Sequence, residues 1–253
     1  KPVLSFGVVP QQSATRLARL WTPLLQYLGA KSGVTLHFKT ARDIPTFEKR
    51  LAQGDYDLAY MNPYHYTVFH RAPGYEALAK EKNKRIRGII VVLVESTVQS
   101  IDALEGATLA FPAPAAFAAS VLPRANFRHA GISITPRYVS SHDSVYRSVA
   151  KGLFPAGGGV MRTFMNIDEE VRNQLRILWR TEPYTPHAIA VHPRIPEPIR
   201  QALRKAMITL DQDPIGIPLL EALKFKGLEA AQDQEWNDVR ALGIELLDEL
   251  IHP

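Results

Sequence analysis

Residues 3–9 read Val-Leu-Ser-Phe-Gly-Val-Val and stop at Pro10, a short β-rich apolar run that predicts a buried strand. From residue 15 to about residue 31 the apolar positions change period. Leu17, Leu20, Leu24, Leu25 and Leu28 fall on one face of a helix, and Gly33 ends it. Val34, Leu36 and Phe38 alternate with Thr35 and His37, as in a half-buried strand. Pro45 opens a short helix to about residue 52, and residues 57–61 form a strand closed by Asn62-Pro63. A helix over 63–71 and a long buried strand over 87–95 follow.

The pattern then begins again. A strand over 108–111 ends at Pro112, a helix runs from 115 to about 130, and a strand covers 135–139. A helix from 142 to about 151 is followed by Gly152, and Gly157-Gly158-Gly159-Val160-Met161 stands where residues 57–61 stood. Leu36 precedes Leu58 by 22 residues, and Arg137 precedes Gly159 by the same 22. This quasi-repeat of strand and helix predicts parallel sheets. Strands at 176–179 and 188–191 and helices at 197–210, 215–224 and 233–250 remain. The second half is already complete, so the late helices return to the first. The expected fold is α/β, with two Rossmann-like lobes, a hinge and a central ligand cleft. Lobe 1 is 1–95 plus 193–253, lobe 2 is 96–192, and the chain crosses near 94–97 and 188–193. In such sheets ligands bind outside the carboxyl ends of the parallel strands.

Composition narrows the function classes. The 253 residues are 46% hydrophobic and 22% charged, an ordinary globular balance. With 30 basic and 25 acidic residues the net charge is +5. The basic residues are scattered, apart from Lys80, Lys82, Lys84, Arg85 and Arg87, which read as a solvated loop. No stripe of charge indicates nucleic acid. No cysteine is present, which excludes disulfides, thiol catalysis and cysteine-ligated metals and fits an oxidising compartment such as a periplasm. The longest apolar run, 89–94, is strand length, far short of the roughly 20 residues of a membrane span. The chain opens at Lys1-Pro2 without a leader, as a processed or trimmed form would.

Candidate binding residues cluster just after strands. In the first half they are Gln11, Gln12 and Ser13, then Tyr60, Asn62 and Tyr64, where two aromatic rings flank a turn. In the second half they are residues 114–117 with Phe117, then Ser140, Ser141 and His142, then Arg162, and finally Tyr184 to His187. Ser140-Ser141-His142-Asp143-Ser144 places hydroxyl and imidazole groups at a helix start, beside free backbone N–H groups and the positive end of the helix dipole. The spacing alone favours an ordinary N-cap. Tyr66 and Phe69 read as core, and the three glycines as a close backbone approach, because the Lys-Ser/Thr of a phosphate loop is missing. No Gly-x-Ser-x-Gly or His-Glu-x-x-His is present, and the eight histidines show no metal-ligand spacing. No metal site and no cofactor is expected.

Several segments, in order, carry a resemblance. They are Leu4-Ser5-Phe6-Gly7-Val8-Val9-Pro10, Trp21-Thr22-Pro23-Leu24 and Gly54-Asp55-Tyr56-Asp57-Leu58-Ala59-Tyr60, then Ile101-Asp102-Ala103-Leu104-Glu105-Gly106 leading into Thr108-Leu109-Ala110-Phe111, and Ser141-His142-Asp143-Ser144-Val145. Over nearly its whole length the chain resembles the phosphate/phosphite/phosphonate-binding proteins of bacterial ABC transporters, a branch of the type II periplasmic binding proteins. The resemblance implies two α/β lobes that close on a small anionic ligand and hand it to a membrane permease. It also implies a periplasmic location, a monomer, and no catalysis. It carries the oxyanion-binding role to His142, and with it to Ser140, Ser141 and the Tyr60–Tyr64 turn. The family's Ser-Thr-Ser run falls on Ala115-Ala116-Phe117-Ala118, which has no hydroxyl. Positions that are acidic in aminophosphonate binders fall near Arg162 and His187, and Arg162 would repel an ammonium. These departures argue against 2-aminoethylphosphonate. They suggest a ligand with an apolar part against Phe117 and an anionic group near Arg162 or His142.

Two other classes stand beside this reading. One is the extracytoplasmic sensor domain of a signalling receptor such as a histidine kinase, on the same fold. The other is an enzyme, for which His142 with Asp143 is the only adjacent acid–base candidate. Neighbours at a helix start do not face each other, which counts against it.

Overall fold

The computed structural model describes residues 1–252 and divides into two compact units, Lys1–Lys84 with Thr185–Pro253, and Arg85–Tyr184.

In the first unit, β1 (Val3–Val8), β2 (Thr35–Lys39) and β3 (Leu58–Met61) are parallel, with β1 in the middle. β10 (Ala188–Val191) lies antiparallel to β3, β4 (Glu76–Glu81) to β10, and β11 (Leu228–Ala230) to β4. All four residues of β10 are apolar and buried, as expected for a strand covered on both faces. Helix α1 (Ala14–Ser32) buries Leu17, Trp21, Leu24, Leu25 and Leu28 in one cluster with Phe6, Val8 and Ile189. Each such side chain contributes on the order of 1.5–3 kcal/mol. Gly33, at φ 75°, closes the helix in the left-handed region. α2 (Ile44–Gln53) is capped by Asp43, α3 (Pro63–Arg71) by Asn62, and α8 (Glu197–Ile208) and α9 (Gly216–Ala222) follow β10.

In the second unit, β6 (Thr108–Phe111), β7 (Thr135–Tyr138) and β8 (Gly157–Gly159) are parallel, with β6 in the middle. β5 (Ile89–Leu93) is antiparallel to β8, and β9 (Leu175–Arg180) is antiparallel to β5. One face of this sheet packs on Val145, Tyr146 and Val149 of α5 (His142–Ala150). The other face packs on Phe127 of α4 (Leu122–His129) and on Leu104 and Ile132. Two short helices, α6 (Met161–Asn166) and α7 (Glu169–Arg172), complete it.

The internal repeat is visible as strand order. β2-β1-β3-β10-β4 in one sheet matches β7-β6-β8-β5-β9 in the other. The change of unit stands one strand earlier than the pattern suggests, before β5 and before β10. The sequence expectation put 85–95 in lobe 1 and 188–192 in lobe 2. Hydrogen bonding decides otherwise: β5 pairs with β8 and β9, and β10 with β3 and β4. An apolar run gives the existence of a buried strand but not its sheet.

Three other expectations change. The helix expected over 115–130 opens as a π-helical segment, Phe117–Val121, before α4. The helix expected over 233–250 is a 3-10 turn, Asp233–Trp236, then α10 (Asn237–Arg240), then mostly irregular chain beyond Gly243 at φ 63°. The basic cluster is in part β4. Lys80 pairs with Glu229 at 2.5 Å and Glu235 at 3.3 Å, and Lys82 with Asp211 at 2.6 Å. Three partnered carboxylates thus take up two of its five cations.

Candidate binding site

In the first unit, residues just beyond β1 and β3 and just before β10 gather at one end of the sheet. The strand register sets this: Val8 lies beside Tyr60, and Tyr60 beside Ile189. His187 therefore arrives at the carboxyl end of β3. Its ring stacks on Tyr60 with centroids 5.0 Å apart and planes 20° apart. Trp21 and Phe225 support Tyr60 at 4.9 and 5.9 Å. The Gln11 side-chain amide reaches His187 Nε2 at 3.2 Å. Gln11, Tyr60 and His187 thus form an aromatic wall with polar edges. Gln12 and Ser13 are exposed beside it, and Ser13 Oγ accepts the Arg16 N–H at 3.3 Å as the cap of α1.

Asn62 is buried and accepts the His65 N–H at 2.8 Å, so its side chain caps α3. Tyr64 departs from the expectation of a cleft-facing hydroxyl. It is 3% exposed, and its oxygen accepts the Leu247 N–H at 2.9 Å. Burial pushes its phenol up to about 12. The ring is turned to the C-terminal segment, where with Arg71 and Arg240 it lines a small cavity. Pro63 at the helix start commits the next residues to α3, and the helix carries Tyr64 inward. Tyr66 and Phe69 are core, as expected.

In the second unit, β6, β7 and β8 end side by side, so residues 112–117, 140–142 and 160–163 converge. Ser140 turns the chain at φ 80°. Ser141 caps α5, accepting the Ser144 N–H at 3.0 Å and donating to Ser144 Oγ at 2.8 Å. His142 is the first residue of α5, at the positive end of its dipole. Its Nδ1 stands 3.2 Å from Thr163 Oγ1, which is 2.6 Å from the Tyr146 hydroxyl. Burial holds the His142 imidazole below its ordinary value, opposed by the Asp143 carboxylate. Burial also pushes the Tyr146 phenol up to about 12.

Phe117 is buried at the start of the π-helical segment, and Arg162 is exposed on α6. Tyr184 is half-buried and exchanges backbone hydrogen bonds with Ile86, both 2.8 Å, at the edge of this unit. The three glycines are a close approach, as expected. A Cβ at Gly157 would meet Val145 Cγ1 at 2.5 Å, and one at Gly158 the Ala119 carbonyl oxygen at 2.1 Å.

The structure therefore groups Tyr60 with His187 in one unit, and Ser140, Ser141 and His142 with the Phe117 and Arg162 segments in the other. Thr163 and Tyr146 escaped the sequence reading. Tyr146 had a signal, since it lies one helical turn after His142. Thr163 had none. Among the described residues no group of three His, Asp or Glu side chains is placed to hold a metal ion.

A family model described as "ABC transporter, phosphonate, periplasmic substrate-binding protein" matches residues 6–236. No curated protein matches the chain. Among solved structures, the binding-protein component of an ABC phosphonate transporter from Pseudomonas aeruginosa is 15% identical with a TM-score of 0.78, covering 96% of this chain and 86% of that one. XAC2383 from Xanthomonas citri, bound to chloride, is 19% identical with a TM-score of 0.83, covering 95% of each chain. PhnD1 from Prochlorococcus marinus, in complex with methylphosphonate, is 17% identical with a TM-score of 0.79, covering 95% of this chain and 97% of that one. At these identities the likeness is one of fold.

Proposed function

This chain belongs to the family of periplasmic substrate-binding proteins of phosphonate ABC transporters, and on that premise we propose that its own ligand is a small oxyanion without an ammonium group, held in the second unit at His142. The fold is that of the type II periplasmic binding proteins. The family captures a solute and works with a membrane permease; it is a transport family, not an enzymatic one. No relative named above is a signalling receptor. Among the described residues no helix is long and apolar enough to cross a membrane.

One observation supports the ligand class above the rest. His142 stands at the first position of α5 with Nδ1 engaged by Thr163, so Nε2 is the ring nitrogen left for a ligand. A helix start with backbone N–H groups, a capping serine and an imidazole donor suits a phosphonate, phosphite, sulfonate or carboxylate. Phe117 and the alanines before it give the adjoining segment an apolar character, which suits an alkyl substituent. Arg162 adds positive charge that disfavours an ammonium. The protein acts in this reading as a monomer in the periplasm.

Thermal-shift measurement with methylphosphonate, phosphite, alkyl sulfonates, small carboxylates and 2-aminoethylphosphonate tests the proposal. A ligand at 100 times its Kd stabilises by about 2.7 kcal/mol, a readily measured shift. The expected result is stabilisation by one or more ammonium-free oxyanions. Stabilisation by aminophosphonates alone overturns it.

A further inference from the structure

The three side chains behind His142 form a line: Tyr146 hydroxyl to Thr163 Oγ1 at 2.6 Å, and Thr163 Oγ1 to His142 Nδ1 at 3.2 Å. Two hydroxyls in a chain can carry their protons in either direction, and the direction fixes which nitrogen of a neutral imidazole holds the hydrogen. The backbone at Val160 supplies the bias. Its N–H lies 3.3 Å from the Tyr146 oxygen and donates to it. Its carbonyl accepts the Phe164 N–H at 3.0 Å and also lies 3.2 Å from the Tyr146 hydroxyl and 3.1 Å from Thr163 Oγ1. With the Val160 N–H donating in and the shortest contact, 2.6 Å, taken by the Tyr146 proton, each hydroxyl accepts once and donates once when the protons run Val160 to Tyr146 to Thr163 to His142. Turning either hydroxyl to the Val160 carbonyl makes that carbonyl accept twice and makes the Tyr146 or the Thr163 oxygen accept from two donors. Hydrogen bonds that all point one way also polarise one another.

We propose that Tyr146 and Thr163 are positioning residues that hold His142 as the tautomer with Nδ1 bare and Nε2 protonated. This rests on the reading of His142 as the oxyanion contact and deepens it. A neutral imidazole can hydrogen-bond an oxyanion only through a protonated nitrogen, and here that nitrogen is the one the relay leaves unused. Burial keeps the ring neutral, so without the relay the tautomers would be set only by the ring's intrinsic balance. A fraction of the molecules would then present a lone pair to the anion. The same three atoms fix the ring's direction, as a carboxylate or carbonyl bonded to the far nitrogen of a metal-bound histidine does.

The test is nitrogen-15 NMR of the imidazoles in the full chain at pH 7.5, with no ligand, where the two neutral tautomers have distinct signatures. His142→Gln identifies the signal among the eight histidines. The expected result is an Nε2–H tautomer in the wild type and in Thr163→Ser, which keeps the hydroxyl. In Thr163→Val, which keeps the shape, a signal with an added Nδ1–H share is expected, with affinity for methylphosphonate falling in proportion to the Nε2–H fraction lost, about twofold when half is lost. An Nδ1–H tautomer in the wild type, or an unchanged tautomer in Thr163→Val, overturns the proposal. The tautomer is read without ligand, so the two readings fail separately. An Nε2–H ring in a protein that binds no oxyanion upholds the relay and counts against the ligand reading alone.

Discussion

A Cβ on Gly159 would stand 2.1 Å from the Tyr146 hydroxyl oxygen. The third glycine of β8 therefore holds open the space that the hydroxyl of α5 occupies. Gly159→Ala forces one of them to move, and overpacking of this kind costs about 1–3 kcal/mol. Urea unfolding of Gly159→Ala is expected to show that loss, with weaker oxyanion binding because Tyr146 no longer meets Thr163. In a Tyr146→Phe background the added cost is smaller but not zero, since the ring carbon Cζ also lies 2.7 Å from the added atom. A Gly159→Ala protein as stable as the wild type contradicts this geometry.

Tyr60 and Tyr64 read alike in the sequence and differ in the structure. Tyr64→Phe leaves the Leu247 N–H without its acceptor and is expected to cost about 1–3 kcal/mol of stability with ligand affinity unchanged. Tyr60→Leu removes the ring on which His187 stacks and which Trp21 and Phe225 support, and is expected to cost about 0.5–1.5 kcal/mol for each ring pair lost. Urea titrations of the two variants check this. A variant at either position as stable as the wild type contradicts it.

The acid limb of stability has two windows. Burial lowers the pKa of His142, and burial with the Arg194 charge lowers that of His192. The unfolded chain titrates near 6.5 and binds more protons as pH falls through that value, so stability falls with it, until the folded histidines protonate too. Asp213 is lowered by the Tyr27 hydroxyl, the Ile215 N–H and Lys31. Asp233 is lowered by Arg240 and Tyr66, which outweigh its burial. Their contributions are present above the unfolded value near 3.8 and are lost as pH falls through the lower folded values. Urea midpoints against pH are expected to decline first below about 6.5, and His142→Gln is expected to shrink that step, with His192 keeping the rest of it, and leave the lower one. A flat profile down to the carboxylate range contradicts it.

The strand-helix repeat was legible because burial on one or both faces leaves a period in the sequence. Helix α3 and strands β6 and β10 fall on the residues the pattern gives. Sheet membership was not legible, because β5 and β10 are equally apolar whichever sheet receives them. β4 was hidden by Lys80 and Lys82, whose charges are answered by Glu229, Glu235 and Asp211, all far away in sequence. In the site, His142 and Ser141 were readable as a helix start. Thr163 was not, since its role depends on the distance between α5 and α6. Tyr64 was misread because a hydroxyl beside a turn looks the same whether it meets a ligand or the Leu247 N–H.

The central claim is that His142 at the start of α5 takes the ligand's oxyanion. Isothermal titration of the whole chain with methylphosphonate at pH 7.5, wild type beside His142→Ala, tests it most directly. The account predicts saturable one-to-one binding by the wild type and at least about a tenfold loss in the variant, with a urea transition showing the variant folded under the titration conditions. Binding of equal strength by both proteins contradicts it.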